Sequence, residues 1–200
     1  MYAHRITSAS TGTTNEPVTV AEVKTHLRID STADDVLLGL YITAARQAAE
    51  EITKRALVNT KWELTIDALD ADKIALPRPP LSTLSTEVVI TYTKSTGDTT
   101  TVGTTAYAVE PRNEPGFIRL AYDSEWPSDV QDSEGAVRIT YRSGYTTSNP
   151  APEPIKHWIK MRAGAMYENR EPLITGVSQT DLNRDFVDGL LDPYRVAITI

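Results

Sequence analysis

Apolar residues recur along this chain in two different periods, and the places where the period changes divide it into segments. The first segment is helical. Thr19-Val20-Ala21-Glu22 has the form of a capping box, with Thr19 at the N-cap and Glu22 three residues on. Val18 and Val23 flank it as the matching hydrophobic staple. This predicts a short helix reaching about Leu27. Ser31 and Thr32 each stand three residues ahead of an acid, Asp34 and Asp35, which complements the start of a second helix with a body over 34–57. Its apolar stripe is read as Leu37, Leu40, Tyr41, Ala44, Ala45, Ala48 and Ile52, spaced by three and four.

At Thr60 the period drops to two. Trp62, Leu64 and Ile66 alternate with polar residues, as do Val88, Ile90 and Tyr92, and again Val137, Ile139 and Tyr141. Shorter strand candidates lie at 107–109 and 117–120, with Gly97-Asp98, Gly103 and Pro115-Gly116 as turns. Arg138 and Arg142 fall on the outward side of the Val137 strand. After the proline-rich stretch 149–154 the helical period returns, with Pro154 in a first turn and Ile155, Trp158, Ile159, Ala163, Met166 and Tyr167 on one face. A last helix is expected over 181–191, ended by Pro193.

The expected fold class is therefore α+β: a helical bundle formed by the N- and C-terminal helices, with an inserted antiparallel β domain. The boundaries read as a flexible arm at 1–16, helical parts at 17–58 and 149–193, the β domain at 59–148, and a tail at 194–200. The arm follows from residues 8–15, almost all Ser, Thr, Gly and Asn, which have too little apolar surface to offset the cost of ordering. In the tail Tyr194, Val196, Ile198 and Ile200 alternate with Arg195, Ala197 and Thr199, a strand pattern.

Charge narrows the function. A formal net charge of −7 argues against electrostatic capture of nucleic acid, which needs clustered Lys and Arg. The absence of cysteine removes disulfides, thiolate metal sites and thiol nucleophiles together. No run approaches the ~18 apolar residues of a membrane span, and the N-terminus has no apolar signal-peptide region, so a soluble chain made in the cytoplasm, without a membrane partner, is expected.

Candidate chemistry is sparse. His4, His26 and His157 stand far apart in the sequence and outside any ligand motif. Asp67, Asp70 and Asp72 lack the glycine and distal glutamate of an EF-hand loop and read as a solvated turn. Asp30, Asp34 and Asp35 are explained by their place at a helix start. No GxSxG, Walker A or GxGxxG motif occurs, so no enzyme and no cofactor is expected. Lys156, Lys160 and Arg170 read as a solvated helix face. One rival reading is a carbohydrate- or protein-binding module using Trp62, Trp126, Tyr92, Tyr107 and Tyr122, with Trp126 and Tyr122 as its exposed pair.

Three stretches carry a family resemblance. The first runs from Val18 through HLRID and the Ala-rich helix to TKRAL, ending at Leu57. The second is TKWELTIDAL with the later LPRPPL at 76–81. The third, and most specific, is SGY followed by PEPIKHWIKMRAGAMYENRE, within 143–171. Together, over about 17–195, they resemble the long form of the tailed-phage head-to-tail connector family, adaptors also found in prophages and gene transfer agents. The stretch 93–136 resembles it only in general strand-and-turn character.

The resemblance implies a structural virion protein of the neck: a ring, usually of twelve copies, seated on the portal protein and bridging it to a stopper or other neck protein, with genomic DNA passing through the lumen. On that footing the subunit interface is expected at Ala45, Ala48, Ala49, Ile52, Trp158 and Tyr167, because both helices combine an apolar stripe with small residues. The strand-like tail, Tyr194, Arg195, Val196, Ala197, Ile198, Thr199 and Ile200, is expected to add to another chain, the portal.

Overall fold

The computed structural model describes residues 16–82, 87–169 and 188–197, together with the backbone of 5–11. Among these residues the chain forms eight strands and three α-helices in two compact units. One unit holds the N-terminal strand and Asn59–Gly144; the other is built from the described parts of Asn15–Val58 and Tyr145–Ala197. The fold class is α+β, with antiparallel sheets between the N- and C-terminal helices in chain order.

In the helical unit, α1 spans Val20–Leu27, α2 Asp35–Thr53 and α3 Glu153–Glu168. The capping box forms as the sequence predicts: the Glu22 amide donates to Thr19 Oγ1 at 3.2 Å, and the Thr19 amide donates to Glu22 Oε2 at 2.7 Å. Val18, Val23, Leu38, Ile42, Ala45, Ala49, Leu57, Ile155, Trp158, Ile159, Ala163 and Leu191 form the unit's core. Gly164 lets α1 approach α3, since a Cβ there would stand 2.8 Å from Leu27 Cδ2.

Two features of α2 differ from expectation. The buried face is Leu38, Ile42, Ala45 and Ala49, whereas Leu40 and Ala44 of the expected stripe point outward. The segment 36–42 is apolar on nearly every side, so its spacing fits two helical phases, and packing against α3 and α1 selects the second. The helix also stops at Thr53 instead of about Leu57, with Lys54 left-handed at φ 58°. Glu50 explains the stop: its Oε1 accepts the Leu57 amide at 2.7 Å, which turns the chain back onto the helix.

The β unit contains β1 (Arg5–Thr11), β2 (Thr60–Ile66), β3 (Lys73–Leu76), β4 (Val89–Thr93), β5 (Thr99–Thr101), β6 (Tyr107–Glu110), β7 (Gly116–Leu120) and β8 (Val137–Ser143). Among the described residues these make a five-stranded sheet in the order β1-β2-β8-β4-β5 and a three-stranded sheet in the order β3-β7-β6. All the pairings are antiparallel. Leu64 pairs with Ile139 and Ile66 with Val137, which puts their apolar sides on one face. Ile74, Leu76 and Ile118 of the smaller sheet join Leu64, Ile90, Val137, Ile139 and Tyr141 of the larger in one core. The Tyr107 hydroxyl, buried with its ring, donates to the Val88 carbonyl at 2.8 Å and ties β6 to the start of β4.

The N-terminal segment corrects the sequence reading. Residues 5–11, all within the stretch 1–16 that reads as a flexible arm, form β1, which runs antiparallel to β2 from Arg5 opposite Thr65 to Thr11 opposite Thr60. Strand addition is driven by backbone donors and acceptors on the edge of β2, and those need no apolar side chains. Residues 12–15 lie outside the described set, as does most of the helix expected over 181–191. Its end is described: 188–191 lead into a 3-10 helix at Asp192–Tyr194 that contains Pro193.

Candidate assembly surfaces

The residues expected at a subunit interface divide into two groups. Ala45 and Ala49 are 0% exposed and Trp158 is 2% exposed, all within the core of the helical unit. They offer no surface to a neighbour, which withdraws them from that role. Trp158 Nε1 donates to Asp188 Oδ1 at 3.2 Å, so even its polar edge is used internally. Ala48, Ile52 and Tyr167 are half-buried against the same core, and the Tyr167 hydroxyl donates to Asp34 Oδ2 at 2.7 Å.

What α2 leaves open lies on its other side. Val36 is 82% and Leu40 63% exposed, and Ala44 continues the row at the next turn. At about 100° per residue this row stands roughly half a turn from Leu38, Ile42, Ala45 and Ala49. The helix thus has an apolar inner face and a second apolar face turned away from α1 and α3. The sequence contained the signal, an uninterrupted apolar run from Val36 to Leu38 and from Leu40 to Ile42, but not the phase that decides which residues are left outside.

Between α1 and α3 runs a groove of about 430 Å³ lined by Ala21, Glu22, Thr25, His26 and Lys160. His26 and His157, distant in sequence, meet beside it edge-to-face with ring centroids 5.8 Å apart. The Glu22 carboxyl is held below its ordinary range, chiefly by the Thr19 amide and then by the Thr19 hydroxyl, with Lys160 and Lys156 adding to the effect. Hydrogen bonds to the ionised carboxylate favour it over the neutral form.

The tail departs from the expected strand at its start. Tyr194 closes the 3-10 helix, and residues 195–197 are not in a strand. The Tyr194 carbonyl accepts from Arg55 Nε at 2.7 Å, and the Val196 amide donates to the Thr53 carbonyl at 3.0 Å. Arg195 pairs with Asp192 at 2.8 Å, and Ala197 is exposed. Ile198, Thr199 and Ile200 lie outside the described residues.

The aromatic residues of the β unit do not form a stacking platform. Tyr92 and Tyr107 are buried, and burial pushes both hydroxyls above their ordinary range. Trp62 carries the Arg78 guanidinium 5.6 Å from its ring centroid. Trp126, expected to be exposed with Tyr122, instead packs against the core and donates Nε1 to the Ala71 carbonyl at 3.1 Å. Tyr122, 99% exposed, is left without a second open aromatic beside it in sequence. Asp67 accepts the Gly135 amide at 2.8 Å, a structural use of the acidic turn. Among the described residues no three His, Asp or Glu side chains gather as a metal site, and no helix is long and apolar enough to cross a membrane.

Comparison with known proteins follows the same lines. No curated protein matches the sequence. Among solved structures, the chain is similar to one in the neck of an empty gene transfer agent particle computed with C6 symmetry, with a TM-score of 0.74. It is similar to one in the neck of a native particle computed with C12 symmetry at 0.73, and to one in the virion of a native gene transfer agent particle at 0.72. Each match has 22% sequence identity and covers 98% of this chain and 97% of the other, so the likeness is one of whole folds. In sequence, residues 17–111, just under half of the chain, match the model of the phage gp6-like head-tail connector proteins, so over that stretch the chain is similar to this family.

Proposed function

We propose that this chain builds a ring in the neck of a tailed phage or gene transfer agent particle, seated beneath the portal and bridging it to the next neck protein or stopper, with DNA passing through the lumen. The observation that carries the reading is the end-to-end match of fold to chains from necks computed with six- and twelve-fold symmetry. A cyclic assembly needs two different, mutually complementary faces on each copy. The helical unit offers an apolar row on α2 and a groove between α1 and α3.

The net charge of −7 fits a channel that DNA traverses without being held, since repeated negative charge around a lumen repels the duplex from its walls. The ring is tested by electron microscopy and native mass spectrometry of the full chain with and without a cognate portal. Twelve-membered rings on portal are expected, and a chain that stays monomeric in its presence refutes the reading. Duplex DNA binding tighter than about 1 µM at physiological salt would refute the passive-channel part.

A further inference from the structure

We infer that neighbouring copies join by seating the outer row of α2, Val36, Leu40 and Ala44, in the α1–α3 groove of the next copy. This rests on the ring reading and assigns its interface.

The row is unusual for this molecule. Among the described residues only four large apolar side chains are exposed, and two of them, Val36 and Leu40, sit one helical turn apart on α2. A helix on the surface of a lone subunit would carry polar residues opposite its core. Here Thr43, bonded to Glu16 at 3.0 Å, is the one polar side chain flanking the row, and Gln47 and Glu51 follow beyond it. Water contact along Val36 and Leu40 is unfavourable, and burial against a neighbouring copy would remove it.

The groove has room for this occupant. Ala21 and Thr25, both small and exposed, leave room for branched side chains. Gly164 sets α1 close enough to α3 for the two helices to form continuous walls. The row points away from α1 and α3, and the groove lies between them. The contact is therefore head-to-tail, as ring closure demands, and not a two-fold pairing of identical patches.

The absence of cysteine gives a clean test. Single variants Leu40→Cys and Ala21→Cys and the double variant are oxidised as full-length protein under the conditions in which wild-type rings form on portal. The double variant should give a ladder of covalent species reaching the full ring on a non-reducing gel, and the single variants none. Leu40→Cys alone giving abundant dimer would mean that the row meets itself, which overturns the proposal. Rings that form normally without a ladder would assign the row to another neck protein and overturn it too, leaving the ring reading intact. Failure of the wild-type chain to form rings at all would remove both. As a second readout, Val36→Asp with Leu40→Asp should reduce ring yield at least about tenfold. Its thermal midpoint should shift by only about 1–2 °C, because both side chains are exposed in the single subunit.

Discussion

The Tyr167 hydroxyl donates to the Asp34 carboxylate at 2.7 Å, joining the last turn of α3 to the residue that caps α2. Asp34 makes no side-chain bond to its own helix start. Its charge instead complements the positive end of the helix while it accepts from α3. Tyr167→Phe removes one charge-assisted hydrogen bond from a half-buried site and should destabilise the helical unit by about 1–2 kcal/mol. The fold should persist, because the ring remains packed on the core. Urea unfolding of the two proteins checks this, and an unchanged midpoint would mean that water replaces the phenol without loss.

Arg46 is the buried cation of α2. Its Nε donates to Glu16 Oε2 at 2.8 Å and its Nη1 to Glu50 Oε2 at 2.7 Å. Glu50 in turn holds the Leu57 amide, so the network ties the chain before α1 to the end of α2. Side-chain exposures of 8% for Arg46, 21% for Glu16 and 13% for Glu50 leave little water to screen the carboxylates once the cation is gone. Arg46→Met should cost about 2–4 kcal/mol. Adding Glu50→Gln should cost much less than its own single effect, and a double-mutant cycle measures that coupling. Strict additivity of the two substitutions would show that the pair does not act as a unit.

These two cases indicate where the sequence is readable and where it is not. Local rules are legible: the capping box at Thr19 and the strands around Leu64, Ile90 and Ile139 follow from spacings of a few residues, and all appear in place. Long-range choices are not. Nothing near Arg46 in sequence announces that Glu16 will reach it, and the run around Leu38 admits two helical phases until α3 selects one. β3 escapes notice because Ile74 and Leu76 are its only buried residues, among charged and small neighbours. β1 escapes because its partner is a backbone edge and not an apolar surface. Small residues in the stripe point to an assembly surface in sequence, but a residue small enough for close helix approach serves the subunit's own packing equally well. Ala45 and Ala49 serve that packing.

Acid should weaken α1 selectively. The Glu22 carboxyl titrates below its ordinary value of 4.5 because the Thr19 amide and hydroxyl stabilise its ionised form. A depressed folded-state pKa contributes stability that is fully present above the ordinary value and is lost as pH falls through the lower, folded one. Glu22→Gln keeps a hydrogen-bond acceptor but removes the charge. The stability difference between wild type and variant should therefore be constant at neutral pH and shrink below 4.5. Because Glu22 is exposed, the whole effect should stay below about 1 kcal/mol. Thr19→Ala, which removes the cap itself, should cost about 1 kcal/mol at neutral pH. A difference that grows on acidification would contradict the assigned direction.

The tail prediction takes a narrower form than the sequence suggests. Strand addition to a partner needs free backbone donors and acceptors, and the Val196 amide is already given to Thr53 while the Tyr194 carbonyl accepts from Arg55. A pairing of the tail with the portal, as proposed from the sequence, would therefore begin no earlier than Ala197 and would have only Ile198 and Ile200 as apolar residues to offer. Two truncations separate anchoring from attachment. Removing 198–200 should weaken binding to portal rings. Removing 194–200 should weaken binding equally and in addition destabilise the helical unit by about 1–3 kcal/mol relative to the shorter truncation, through the loss of two backbone-mediated hydrogen bonds and the half-buried Tyr194 ring. Twelve weak tails on one ring would act together, so the loss per ring should far exceed the loss per tail. Equal stability of the two truncated chains would show that Arg55 and Thr53 do not hold the segment. Undiminished portal binding by the shorter truncation would show that the portal is not the partner of Ile198 and Ile200.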